Sequence, residues 1–599
     1  MCHGAAPGSS FAAGACPAGG RGPLGARRER VTFIRTLPPT LPSAAPIPGG
    51  LTPLHGGVRN NLDRRRALEA ERRADELLKD PALVRLMNDP HSRPEQLRAR
   101  QVFVNRNLRM AHVELVGFDM DYTLAIYHMR RIEQLSFDMT LARLVSDYGY
   151  PPEIGQIHYD HEFGMRGLLV DKANGNLIKM DRYGYVGRAY HGRRMLDRES
   201  WQRLYRDQQI KKREPKYAWI DTLFALPEAC MYAGVIELLE GRGQTIDYAK
   251  LYDDIREAID TVHRDGSLKR EIRKDLGHYI FKDPELGPAL HKLRSAGKKL
   301  FVLTNSLWDY TNAVMRYLLD GVLPEYPSWR NYFDFIITGA GKPAFFTETG
   351  RPFLEVDTTS EAGAILGEAT SLERGKVYQG GNLVDFERWA KIGGEHVLYV
   401  GDHIYGDIVK SKKSSLWRTC MIVQEIEDEI AYTDSRRDEI ARLSKIEELL
   451  ARLDDEVAHL KGHLNAVERR LEREEGLNGD RAALEEERRR LKADLDVARR
   501  AFREATQIAR DLEEDIEAGF NPYWGLMFKE GNENSKFGEQ VEQYACLYTS
   551  RVSNFLQYSP MHYFRSARDN MAHERAGALS GKLSPVGSEG PPRAANTAD

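Results

Sequence analysis

Short apolar runs recur along the middle of the chain, and each stops at a polar loop. Val113–Phe118 is apolar apart from Glu114 and ends at Asp119. Leu300–Leu303, Phe333–Ile337 and Val397–Val400 repeat the arrangement. Runs of four to six such residues suit strands buried on both faces. In most cases a helical spacing follows. Strands alternating with helices predict an α/β fold with a parallel sheet and right-handed crossovers. Sheets of this kind carry their chemistry beyond the carboxyl ends of the strands.

About 185 residues separate Asp119 from Thr304. One crossover helix needs far fewer, so a cap domain is inserted there, spanning mainly 125–290. A different pattern occupies 436–520. Leu443, Ile446, Leu450, Leu453, Val457, Leu460, Leu464, Val467 and Leu471 alternate spacings of three and four, which makes a heptad seam. After a break at Gly476–Asp480 the pattern resumes from Leu484 to Ile516. Two such helices predict an antiparallel, coiled-coil-like hairpin, serving as a solvated arm or an oligomer contact. The remaining divisions are N-terminal helices leading to the first core strand (61–124), the main sheet core (291–435) and a helical segment packing on it (521–570).

Composition narrows the picture. Residues 1–60 are rich in Gly, Ala, Pro and Arg, lack periodicity, and read as a disordered tail or an overlong start without targeting content. The last stretch, 571–599, also reads as disordered. A formal net charge of −3 excludes a polyelectrolyte surface for nucleic acid or anionic membrane, so any phosphate site must be a local concentration of cations. Five scattered cysteines without a C-x-x-C pair fit a reducing, cytoplasmic setting better than a disulfide framework or a zinc site. No apolar stretch approaches the length of a membrane span.

The strand ends carry the chemistry. Gly117-Phe118-Asp119-Met120-Asp121-Tyr122-Thr123 puts two acids beyond the first strand. Phosphoryl transfer requires a nucleophile, a proton donor for the leaving alcohol, and neutralisation of the phosphate. Asp119 suits the first role and Asp121 the second. Thr304, with the loop Asn305-Ser306, can hold phosphate oxygens. Lys342 follows the third strand as a fixed cation. Asp402 and Asp407 after the fourth would repel Asp119 and Asp121 unless a cation lay among them. Mg²⁺ fits, with Asp119, Asp402 and the Asp121 backbone carbonyl as ligands and Asp407 in support.

The set Asp119-x-Asp121-x-Thr123, Thr304, Lys342 and Gly401-Asp402…Asp407 resembles the motifs of haloacid dehalogenase-like hydrolases. More closely, GFDMDYTLAIY, TNSLWDYT, GKPAFF and GDHIYGDIVKSKK resemble the cytosolic purine 5′-nucleotidases of the IMP/GMP-preferring type. The likeness extends over about residues 100–565. It implies a parallel-sheet core with a large cap, an aspartyl-phosphate on Asp119, and purine nucleoside monophosphates as substrates. Transfer of the phosphate to a second nucleoside is implied as well. Within DDIREAIDTVHRDGSLK the resemblance implies that Arg256, Asp260, His263 and Lys269 contact the nucleotide, with Phe224 stacking on the base. Arg264 stands where better-known members carry an aromatic residue. A nucleotide effector site would match Lys211, Trp219, Asp221, Tyr405 and Lys413, and a homo-oligomer is expected. Two other readings are open: a phosphatase of the same fold acting on another ester, and a non-catalytic coiled-coil scaffold. The retention of Asp119, Asp121, Lys342, Asp402 and Asp407 weighs against the scaffold.

Overall fold

The computed structural model describes residues 69–571 apart from 71, 78, 89–96, 207–209, 211–213, 410–414, 473–480 and 569–570. The expected tails lie outside them, except for Met571. The chain forms two units, Met1–Pro94 and Glu95–Asp599. In the first, the described residues include the helix Pro81–Asn88. The second holds the sheet, the cap and the hairpin.

The sheet is built from β1 (Leu115–Phe118), β2 (Lys299–Leu303), β3 (Phe335–Thr338), β4 (Val377–Gly380), β5 (Val397–Gly401), β6 (Arg418–Ile422) and β7 (Leu547–Thr549). Their spatial order is β7-β6-β5-β1-β2-β3-β4, each parallel to its neighbours. Antiparallel strands close the edges: Phe103–Val104 beside β7, and Phe353–Val356 then Ile365–Glu368 beyond β4. All four residues of β1 are buried, because both faces of the sheet are covered. Gly117 is required there, since a Cβ would overlap the Phe301 ring of β2. From β1 the chain moves outward through β2, β3 and β4, then returns to lay β5, β6 and β7 on the other side. The strand order therefore reverses at β1, and the crevice beyond its carboxyl end is where an open α/β sheet binds its ligand.

Several expectations need correction. β1 starts at Leu115, because Val113 closes the short turn Met110–His112. The stretch before β1, expected to hold only N-terminal helices, contains the strands Phe103–Val104 and Leu108–Arg109. The 521–570 segment is mixed rather than helical: one helix, Lys536–Tyr544, precedes β7, which joins the main sheet against β6. These short strands owe their backbone pairing to partners far away in sequence, and no local periodicity announces that.

The cap leaves and rejoins the core through a short antiparallel pair, Ile126–Tyr127 with Ile280–Phe281. It holds a five-stranded antiparallel sheet and the helices α1 (Met129–Tyr148), α2 (Leu226–Gly241), α3 (Tyr248–Arg264) and α4 (Ser267–Lys274). Asp247 caps α3 by accepting from the Lys250 N–H, and Gly266, in the left-handed region at φ 73°, turns the chain into α4. Leu251, Tyr252, Ile255, Ala258, Ile259 and Val262 bury one face of α3. Back in the core, α5 (Trp308–Leu319) follows β2.

The hairpin consists of α6 (Arg437–Glu472) and α7 (Arg481–Phe520), packed through Leu460, Leu464, Val467, Leu484, Leu491, Leu495 and Ala498. Ion pairs Lys492–Glu468 (3.2 Å) and Arg436–Asp515 (3.1 Å) run the two helices antiparallel. The expected break at Gly476–Asp480 lies outside the described residues. No described helix is long and apolar enough to cross a membrane.

Candidate active site

Asp119 is the first residue beyond β1. Its backbone N–H donates to the Val400 carbonyl of β5 (2.9 Å), and its Oδ1 accepts from the Met120 N–H (2.7 Å). The chain then folds tightly: the Ala125 N–H donates to Met120 O, and buried Tyr122 takes the left-handed region at φ 54°. A bulky residue rarely adopts that conformation. Gln424 fixes it by donating to the Tyr122 carbonyl (3.0 Å). Asp121 thereby faces away from the sheet toward the cap. Its Oδ1 accepts from the Tyr127 hydroxyl and its Oδ2 from the Ser306 hydroxyl, both at 2.6 Å.

Thr304 is the first residue beyond β2, fully buried, and its hydroxyl accepts from the Ser306 N–H (3.1 Å). Asn305 spans the gap to the loop after β3. It donates to the Lys342 carbonyl (3.0 Å) and accepts from the Lys342 N–H (2.6 Å). Its amide is thus committed to placing Lys342.

The Lys342 ammonium, 4% exposed, lies 3.0 Å from Asp119 Oδ1 and 2.7 Å from Asp407 Oδ1. It also donates to the Tyr399 hydroxyl (3.0 Å). Tyr399 in turn donates to Asp407 Oδ1 (3.2 Å), and the His403 N–H donates to Asp407 Oδ2 (3.2 Å). Burial opposes the ammonium's charge, yet the carboxylates of Asp119 and Asp407 hold its pKa above the ordinary lysine value. Burial pushes Asp119 up to about 7, against the pull of Lys342. Asp402, buried and facing Asp407 and Asp119, is raised well above the usual carboxylate range. From the cap, Arg166 donates to the Asp402 carbonyl (3.1 Å) and pairs with Glu425 (2.6 Å).

Asp119, Asp402 and Asp407 bring one carboxylate oxygen each within 4.8 Å of the others. A donor set made of oxygen alone, with no thiolate or imidazole, fits a hard divalent ion such as Mg²⁺. Such an ion would also relieve the crowding that raises Asp119 and Asp402.

A cavity of about 280 Å³ opens on Asp121 and carries Phe224, Asp260, His263, Lys269, Asn305 and Ser306 in its wall. The cap and the strand ends therefore share one chamber. Burial, then the nearby Lys269 charge, push the His263 imidazole down to about 4. Its Nε2 atom is shut off from solvent and has no hydrogen-bond partner among the described residues. Phe224 meets Tyr122 and His263 edge to face, at 4.6 and 5.1 Å between ring centres. Arg256 is turned elsewhere, to buried Glu228 (2.8 Å), with Asp260 at 3.5 Å. Arg264 is exposed and pairs with Glu257 (2.6 Å).

Of the residues matched to an effector site, Lys211, Lys413 and the Tyr405 side chain lie outside the described residues. Trp219 packs, partly buried, on a cap cluster that includes Leu169 and Ile178, and Asp221 follows directly after its strand. The site also holds residues that the sequence did not single out: Tyr127, Tyr310, Tyr399 and Arg166. Tyrosine in an apolar run carries no local mark of a polar role, and Tyr127 and Tyr310 lie inside quoted motifs without being given one.

The switch-point crevice, its carboxylates and the buried lysine fit a phosphoric monoester hydrolase on a parallel-sheet α/β core. Comparison with known proteins narrows this. The 5′ nucleotidase family model matches residues 102–576. A 5′-nucleotidase domain-containing protein of Dictyostelium discoideum is 31% identical over 506 residues, covering 83% of this chain and 78% of its own. The 5′-nucleotidase domain-containing protein 2 of Rattus norvegicus is 30% identical over 485 residues, covering 79% and 80%. Among solved structures, the L-2-haloacid dehalogenase of Xanthobacter autotrophicus is 12% identical and covers 52% of this chain and 78% of that one, with a TM-score of 0.17. This chain belongs to the 5′ nucleotidase family.

Proposed function

We propose that the chain hydrolyses purine nucleoside 5′-monophosphates of the IMP/GMP type, with Asp119 as nucleophile and Asp121 as general acid and base. An Asp119 carboxylate oxygen bonds to phosphorus as the bond from phosphorus to the ribose 5′ oxygen breaks. Asp121 delivers its proton to that leaving oxygen. Water then attacks the aspartyl-phosphate, Asp121 takes the water's proton, and phosphate is released. A nucleoside hydroxyl in place of water makes the same step a phosphotransfer. Lys342 and the Thr304 loop hold the phosphate oxygens through both steps. Mg²⁺, held by Asp119, Asp402 and the Asp121 backbone carbonyl, supplies neutralisation of the phosphate charge.

The observation that carries this reading is the shared chamber: Asp260, His263 and Lys269 of the cap face the same cavity as Asp121. A panel of IMP, GMP, AMP and sugar phosphates tests the substrate class, and preference for a sugar phosphate over every purine nucleotide defeats it. Asp260→Ala should lower kcat/KM for the best nucleotide roughly ten- to a hundredfold, the worth of one lost polar contact. For p-nitrophenyl phosphate, which has no base or ribose to read, the same substitution should change little. Equal losses on both substrates would make the α3 face structural.

Metal removal gives a separate check. Excess EDTA should abolish phosphate release, and added Mg²⁺ should restore it, because carboxylates crowded against a phosphate dianion cannot all stay ionised alone. Full activity in EDTA would remove the metal from the reading.

A further inference from the structure

Both oxygens of Asp121 are gripped by neutral hydroxyls, and each hydroxyl has a second group behind it. Tyr127 donates to Oδ1 at 2.6 Å, and the Tyr310 hydroxyl lies 2.8 Å beyond Tyr127. Ser306 donates to Oδ2 at 2.6 Å, and the Lys269 ammonium donates to the Ser306 oxygen at 3.0 Å. Tyr127 is 3% exposed and Tyr310 2%. The four groups come from separate places in the fold. Tyr127 sits where the chain enters the cap, Ser306 in the loop after β2, Tyr310 on α5 and Lys269 on the cap helix α4.

We propose that Tyr127, backed by Tyr310, and Ser306, backed by Lys269, are positioning residues that fix the Asp121 carboxyl for proton transfer to the leaving oxygen. This rests on the acid–base role given to Asp121 above. The donor pattern leaves little freedom. An ammonium only donates, so the Ser306 oxygen accepts from Lys269 and its own proton goes to Asp121. With Tyr127 donating to Asp121, the Tyr310 hydroxyl supplies the donor to Tyr127. Each carboxylate oxygen has two acceptor sites. The grip uses one on each oxygen and leaves the other for the substrate, while the plane of the carboxyl is held from both ends. Rotation about the Asp121 side chain would break two hydrogen bonds at once. Proton transfer within a narrow geometric window gains from such support. The grip also joins core to cap, so the acid is fully held only with Lys269 and Tyr127 in place against the strand ends.

The test uses the dependence on leaving group. kcat/KM reports the steps up to departure of the leaving oxygen. A ribose alkoxide needs the proton, whereas p-nitrophenolate leaves without one. Tyr127→Phe should lower kcat/KM for the enzyme's best nucleoside monophosphate roughly tenfold or more, and that for p-nitrophenyl phosphate by less than about twofold. Tyr310→Phe should show a weaker form of the same selectivity. A structural role would reduce both substrates together. Thermal unfolding accompanies each variant, and should Tyr127→Phe fail to fold, Tyr310→Phe decides. Equal loss on both substrates, or no loss on either, in a folded variant overturns the proposal. Asp121→Asn separates this from the underlying reading. If it too spares neither substrate, Asp121 is not the acid. If it is selective while the tyrosine variants are not, only the positioning role falls.

Discussion

Asp119→Asn is expected to yield a folded protein that has lost roughly three orders of magnitude or more in phosphate release. The amide keeps the shape of the carboxylate and can still accept from the Met120 N–H through its oxygen. It offers phosphorus no competent nucleophile, and it withdraws a charged ligand from the acidic cluster. Stability should hold or rise. Burial pushes Asp119 up to about 7, so the fold bears a cost for ionising it, and a neutral side chain removes one of the crowded acids. Steady-state assay and calorimetry on the purified variant check both halves. Rapid acid quenching should trap phosphate on the wild-type chain and none on the variant. Retention of more than about a tenth of wild-type activity would take the nucleophile role from Asp119.

Lys342→Met should be inactive and also destabilised, which separates it from the first variant. Methionine matches the length of the lysine stem without its charge. The substitution leaves Asp119 and Asp407 without the ammonium that lies 3.0 and 2.7 Å from them. Breaking a buried ion pair from one side costs about 3–5 kcal/mol, since the remaining charge stays desolvated and uncompensated. A lysine 4% exposed gives solvent little chance to screen the loss. The activity loss should reach roughly a hundredfold, because the phosphate loses a fixed cation that is in place before the reaction begins. High Mg²⁺ should recover part of the stability, as ion binding to the folded state offsets the missing charge. A Lys342→Met protein with wild-type melting and wild-type turnover would make the lysine a bystander.

The strand ends and the hairpin were legible because each is a local statement. Apolar runs that end at Asp119, Thr304 and Asp402 say which segments are buried and where they surface. The leucine spacing from Leu443 onward says which stripe of a helix is covered. Periodicity of this kind reports a buried face, but not what the face is buried against. β4, β6 and β7 were missed because polar residues (Gln379, Arg418, Thr419, Thr549) interrupt their apolar runs, and only pairing with a distant strand marks them as sheet. The same limit applies inside the site. Arg256 pairs with buried Glu228 across two packed cap helices, a partner that local spacing does not announce. No local spacing announces that the Asn305 side-chain amide bridges to the Lys342 backbone. The grip on Asp121 joins positions 127, 306, 310 and 269, brought together only when the cap closes on the sheet. Residue type and local spacing determined which groups could do the chemistry. Tertiary packing decided which of them are free to do it, because burial forces each polar atom to find a partner, and that partner is chosen by the fold.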